Sequence, residues 1–240
     1  MSGWKQWSGL FGVARAGVLA FIVLTVVSVA FYPGGTYRDR TTTGYSFFRN
    51  FLSDLGMPQA WDSRPNPIGA ALFVSAEILL AIAVAAFFVG FVRLSSASTR
   101  ARGWSRAAAA AAVVACLAIL VAGLTPANRF QTIHVEAALL VFRASFVATA
   151  FLAVAIARHG RFSRAAVTAG ILLPVALAGY IGVLELGPSA RRSDQGLAVQ
   201  ATSQKVILLI LLPGIGYLSV HGARTTGSRI STDSVESLGT

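Results

Sequence analysis

The chain has 240 residues, 55% of them hydrophobic and only 12% charged, with a mean hydropathy of +0.68. So little charge cannot cover the surface of a water-soluble domain, and too little polar sequence is left over to build a separate one. The formal net charge of +11 comes from short basic clusters between apolar runs, the placement that orients helices and touches anionic headgroups; with no aromatic-basic RNA motif and no zinc-finger spacing, nucleic acid is not an expected partner.

Six apolar runs are long enough to cross roughly 30 Å of hydrocarbon as helices. They fall at about 12–32, 67–92, 107–124, 131–157, 165–186 and 199–221. None shows sustained strand alternation, and in lipid a helix satisfies its own backbone hydrogen bonds. The expected class is all-α: a polytopic bundle of six helices plus one short interfacial helix, as a single transmembrane domain over residues 1–222. The Ser-, Thr- and Gly-rich stretch 223–240 is expected to be a disordered cytoplasmic tail.

The first run follows Lys5 and Arg15 and contains Ser28-Val29-Ala30, a sequence that could serve a signal peptidase. Its length and its 15-residue flank favour a retained helix. After it comes YSFFRNFLSDLG, Tyr45 to Gly56, with Tyr45, Phe48, Phe51/Leu52 and Leu55 at i, i+3, i+6/7 and i+10. That pattern predicts an amphipathic helix in the interface plane, ended by Gly56 with Pro58 beyond. Asp54 would sit at the C-terminal end, where the helix dipole disfavours an anion. It therefore calls for a cationic partner, from Arg49, Arg129 or Lys205.

The third span carries Ala111, Ala115, Ala118 and Ala122 on one face, a surface on which another helix can approach closely. Cys116, the one cysteine, lies among them and has no partner for a disulfide. Pro174 and Pro213 fall inside the fifth and sixth spans and predict kinks there.

Three charged residues within spans stand out: Glu77 in the second, Glu136 and Arg143 in the fourth. Each costs at least about 2.5–3.5 kcal/mol in the bilayer core unless it pairs or meets water. Glu77 lies ten residues past Pro67 and Arg143 twelve past Gln131, roughly 15 and 18 Å deep at the helical rise. The matched depths predict a Glu77–Arg143 pair. Glu136 shares Arg143's face, seven residues away. Asp54, His134, Glu136, Glu185 and Lys205 all fall toward one side of the membrane, where they could converge on a polar pocket; taken singly, Glu185 and Lys205 could simply snorkel to headgroups.

His134 is predicted on the opposite face from His159 and His221, about 30 Å away. A three-histidine metal site is therefore not expected, and neither HExxH nor CxxC occurs. The short loops 93–106 and 158–164 hold seven arginines and no acid. This places them, and both termini, in the cytoplasm of a multi-pass inner or plasma membrane protein.

The stretches NFLSDLGMP, NPIGAALF, GLTPAN and IHVEAALLVF together resemble the prokaryotic membrane proteins grouped as domain-of-unknown-function family 998. The matching positions are Ser53, Asp54, Leu55, Gly56, Asn66, Pro126, His134 and Ala137. The resemblance spans about residues 12–222 and implies a six-helix integral membrane fold with no assigned activity.

From these readings Asp54, His134 and Glu136 are the candidate catalytic residues. Asn66, Glu77, Arg143, Glu185 and Lys205 are the candidate ligand contacts. No metal and no cofactor is expected. The expected partners are membrane lipids, with a small lipophilic substrate and a homo-oligomer left open. The leading function is recognition of a lipid headgroup or small amphiphile in an outward-facing pocket. The alternatives are an enzyme using acid–base chemistry on a lipid-soluble substrate, and a proton-coupled transporter using Glu77 and Glu136.

Overall fold

A computed structural model describes the backbone of residues 3–236 and the side chains of residues 8–225. It contains six long helices: α1 (Gly3–Phe31), α2 (Pro67–Leu94), α3 (Arg102–Leu124), α4 (Gln131–His159), α5 (Arg164–Leu186) and α6 (Asp194–Glu236). Short 3-10 turns occur at Leu52–Gly56 and Ser95–Ala97, and among the described residues there are only two isolated β-bridges and no strand. All six helices are long and apolar enough to span a bilayer. The architecture is therefore the expected all-α bundle of six helices with one short turn of helix beside it.

Helices α3 and α6 begin several residues before their apolar runs, because the polar first turns at Arg102 and Asp194 continue the same helix beyond the hydrocarbon. Helix α6 also runs on to Glu236. Most of the tail expected to be disordered falls where side chains, or from residue 237 the backbone too, lie outside the described residues. Both α5 and α6 continue unbroken through Pro174 and Pro213.

Each helix packs on its neighbours in the chain, and α6 closes the ring against α1. Small residues set the closest approaches, as expected where lipid supplies no hydrophobic drive for helix association. A Cβ on Gly17 of α1 would stand 2.7 Å from the Ala83 side chain of α2. At the end of the bundle near the termini, Phe11 is fully buried against Gly90 of α2 and Gly222 of α6, and its ring meets Phe91 edge-on at 5.5 Å. The alanine face of α3 is buried at Ala108, Ala112, Ala115, Ala118 and Ala122. Helix α4 ends in a left-handed Gly160 (φ +78°), a conformation that favours glycine.

Six spans put both termini on one face. The opposite face carries the long α1–α2 connection, residues 32–66, which forms an ordered cap. Its own small core holds Tyr32, Leu55, Met57 and Ala60 against Phe73 of α2. Only Leu52–Gly56 of the expected 45–56 helix is helical, and as a 3-10 turn. The residues before it form turns, with Phe47, Phe48 and Arg49 exposed and Asn50 buried.

Candidate functional site

The cap is organised by Asn50, which has no exposed surface. Its Nδ2 donates to the Gly35 carbonyl and to Asp54 Oδ2, both at 2.9 Å, and its Oδ1 accepts from the Ser46 amide at 2.9 Å. Gly35 (φ +78°) carries the chain past Trp61 so closely that a Cβ would collide with the Trp61–Asp62 backbone. Asp54 Oδ2 also accepts from the Phe51 amide at 3.1 Å. Burial pushes the Asp54 carboxyl up to about 6, against the hydrogen bonds from Asn50 and Phe51 and the nearby Lys205 charge, which favour the carboxylate. Burial likewise raises the Tyr32 and Tyr45 phenols well above their ordinary value, so both stay neutral.

Three contacts fasten the cap to the helices. Lys205 of α6, 4% exposed, donates to the Asn50 and Ala201 carbonyls and lies 5.3 Å over the Phe47 ring. Gln204 Oε1 accepts from the Leu52 amide at 2.8 Å. Arg38 reaches Asp194, at the start of α6, at 2.7 Å. Asn66 closes the far end of the cap. Its Nδ2 donates to the Leu55 and Met57 carbonyls, both at 3.0 Å, and Pro67 then opens α2.

Beneath the cap lies a half-open cavity of about 280 Å³. Aromatic and aliphatic walls come from Trp61 of the cap, Leu139 and Phe142 of α4, and Tyr180 and Leu184 of α5. The Tyr180 and Phe142 rings meet edge-on at 4.6 Å. Polar groups enter at the cap end: Ser53, Asp54, His134, Gln200 and Gln204, with the exposed Arg191 at the rim. A smaller chamber of about 80 Å³ abuts it, sharing Ser53, His134, Ala138, Phe142 and Gln204 as walls, and Glu77 lines this inner chamber.

His134 is 5% exposed. Its Nδ1 lies 3.0 Å from the Ala122 carbonyl and 2.9 Å from the Thr125 carbonyl. Both partners are acceptors, so the Nδ1 position carries the proton and Nε2 keeps the lone pair. The imidazole is thus fixed in one tautomer between the two chambers.

The sequence placed several charges in contact that the structure separates. Arg143 does not pair with Glu77. It pairs with Glu185, and both side chains are about half exposed, at 49% and 46%. The physical reason is rotational: Glu136 and Arg143 both lie on the exposed side of α4, away from His134 and Phe142. Glu185 is one residue from the end of α5, so the guanidinium reaches rimward, as a long cationic side chain in lipid does. Equal depth therefore did not mean facing positions. Glu77 instead lies against Gly123 of α3, where an added Cβ would collide with its Oε2, and that oxygen is buried with no hydrogen-bond partner.

Of the residues singled out from sequence, the cavities bring together Asp54, His134 and Glu77. Glu136, Arg143 and Glu185 stand outside them, and Asn66 and Lys205 hold the cap. Asp54's closest partners are an amide side chain and a backbone N–H; none of the cations Arg49, Arg129 or Lys205 forms an ion pair with it among the described residues. Sequence reasoning missed the role of the Gln200/Gln204 pair, although i, i+4 spacing on one helix face announces a polar stripe. It also missed Tyr180 and Trp61 as walls, for which spacing gives no signal.

Comparison with curated proteins and with solved structures returns no match. A family model described as protein of unknown function (DUF998) matches residues 15–213, from within α1 to within α6, so the chain belongs to this family of prokaryotic integral membrane proteins.

Proposed function

We propose that the capped cavity binds a small amphiphile or a lipid headgroup, with its polar end under the cap and its apolar part among Leu139, Phe142, Tyr180 and Leu184. The observation that carries this reading is the division of the cavity walls: hydrogen-bonding groups cluster at one end, and aromatic and aliphatic side chains form the rest. Sites for small molecules commonly combine a mostly apolar lining with a few convergent polar groups. The Arg-rich loops on the face of the termini support a cytoplasmic location for both ends, with the cap facing outward.

Ala138 lines both chambers, so Ala138→Phe should fill the junction without touching the cap. Native mass spectrometry of protein extracted from its own membrane should find an amphiphile retained by the wild type and lost from Ala138→Phe. Equal retention by both would contradict the reading.

An acid–base enzyme is the second reading, favoured by the fixed His134 tautomer, whose Nε2 keeps a lone pair, in the cavity that the Asp54 carboxyl group also lines. In that case His134→Gln should accumulate a lipid-soluble precursor in cell extracts without releasing a pre-bound ligand.

A further inference from the structure

Glu77 occupies an unusual place. The inner chamber is walled by Phe21, Phe73, Leu80, Ile119, Val141 and Leu208, and neither lysine nor arginine lines it. The buried Oε2 has no hydrogen-bond partner. A carboxylate in such surroundings is strongly disfavoured unless it takes up a proton or a cation joins it. Among the described residues no cation does so: Arg143 is turned outward to Glu185, and Lys205 is occupied by the carbonyls of Asn50 and Ala201.

Two more side chains on the way to Glu77 offer acceptors, while the donors Trp61, Tyr180 and Gln200 line only the larger chamber. Asp54 is a carboxyl group, and His134 offers an Nε2 lone pair. Ser53 can act in either sense, and Gln204, its Oε1 used by the cap, keeps its Nε2 as a donor. The cationic wall residue, Arg191, is exposed at the rim. A phosphate or carboxylate pushed as far as the inner chamber would meet the Glu77 carboxyl group and the Nε2 lone pair of His134. A donor, and above all a cation, would find its missing partner.

We propose that the two chambers act as one bent site for an amphiphile whose buried end carries an amine, the ammonium pairing with the Glu77 carboxylate past His134. This rests on the amphiphile reading above and names its chemical class. The ligand supplies the charge that the helices omit, and the carboxylate and ammonium desolvate together. Selectivity against anionic headgroups follows from the same walls.

The test compares octylamine, octanol, octyl phosphate and a short-chain phosphatidylethanolamine on the full chain in phosphatidylcholine nanodiscs. Affinity is read from thermal shift. Protection of Glu77 is read from labelling by dicyclohexylcarbodiimide, which modifies carboxyl groups in apolar surroundings. The expected result is that octylamine binds at least about tenfold tighter than octanol or octyl phosphate and blocks the labelling, while Glu77→Gln loses that preference and keeps octanol binding. Tight binding of the phosphatidylethanolamine as well would identify a phospholipid as the source of the amine. Octyl phosphate or octanol binding as tightly as octylamine, or labelling of Glu77 unchanged by octylamine, would overturn the amine assignment and leave the amphiphile reading standing. Failure of all four probes to bind the wild type would overturn both. The labelling arm needs no variant, so it decides the question even if Glu77→Gln does not fold.

Discussion

At the scale of single residues, the site is defined by polar groups whose surroundings are set by the fold. Asp54 is the clearest case. Its carboxyl is pushed from 3.8 to about 6 by burial, so the fold favours the protonated acid. That contribution is fully present below the unfolded value and is lost as pH rises through about 6; two units correspond to about 3 kcal/mol. Raising the pH from about 4.5 to about 7.5 should therefore lower the apparent Tm of the wild type in detergent, and Asp54→Asn should flatten that slope. An unchanged slope in the variant would mean that Asp54 is not the titrating group. A second expectation concerns Gly123. Because its missing Cβ makes room for Glu77 Oε2, Gly123→Ala should displace the carboxyl group and destabilise the protein by about 1–3 kcal/mol, the usual cost of overpacking. Gly103→Ala, whose Cβ meets nothing, should cost far less in the same thermal assay. Asp54, His134 and Glu77 could be picked out from sequence because ionisable groups at such positions need a reason. Their partners could not: whether Glu77 faces Arg143 or Gly123 depends on how α2 and α4 are rotated about their axes, and depth alone does not determine that.

At the scale of elements, the cap covers the cavity at the end of the bundle away from the termini. Periodicity suggested a surface helix over 45–56, but one buried amide, Asn50, overrides the apolar spacing and folds the segment into turns. An amphipathic pattern reports which residues prefer oil; it does not report which polar residue will find enough partners to be buried. Asn50→Ala leaves the Ser46 amide without its partner and takes one hydrogen bond each from the Gly35 carbonyl, which keeps the Tyr32 hydroxyl, and from Asp54, which keeps the Phe51 amide. Each newly unsatisfied buried group costs about 1–3 kcal/mol, so the cap should loosen before the bundle does. Limited proteolysis of reconstituted protein should then cut the variant within residues 33–50 while the helices stay intact; equal resistance to cleavage would show that the cap holds without its buried amide. The six helices themselves were legible, with ends shifted by several residues where polar first turns extend beyond the oil, as at Arg102 and Asp194.

For the whole molecule, the ring of six helices puts the cap, both chambers and His134 at one face and the termini with the Arg-rich loops at the other. Charge placement predicts that the cap faces outward. In a Cys116→Ala background, a cysteine at the exposed Thr41 should react with a membrane-impermeant maleimide in intact cells, and one at Ser98 should react only after the membrane is opened. The reverse pattern would invert the orientation. The central claim, however, is that the cavity under the cap takes an apolar-tailed ligand. Trp61 lines that cavity, and replacing Trp4, Trp7 and Trp104 with Phe leaves it as the one fluorophore of its kind. The most direct measurement is quenching of Trp61 by a bromoalkyl amphiphile titrated into nanodiscs. Saturable quenching that Ala138→Phe abolishes is the predicted result; quenching that rises linearly with probe and is the same in both proteins would contradict the account.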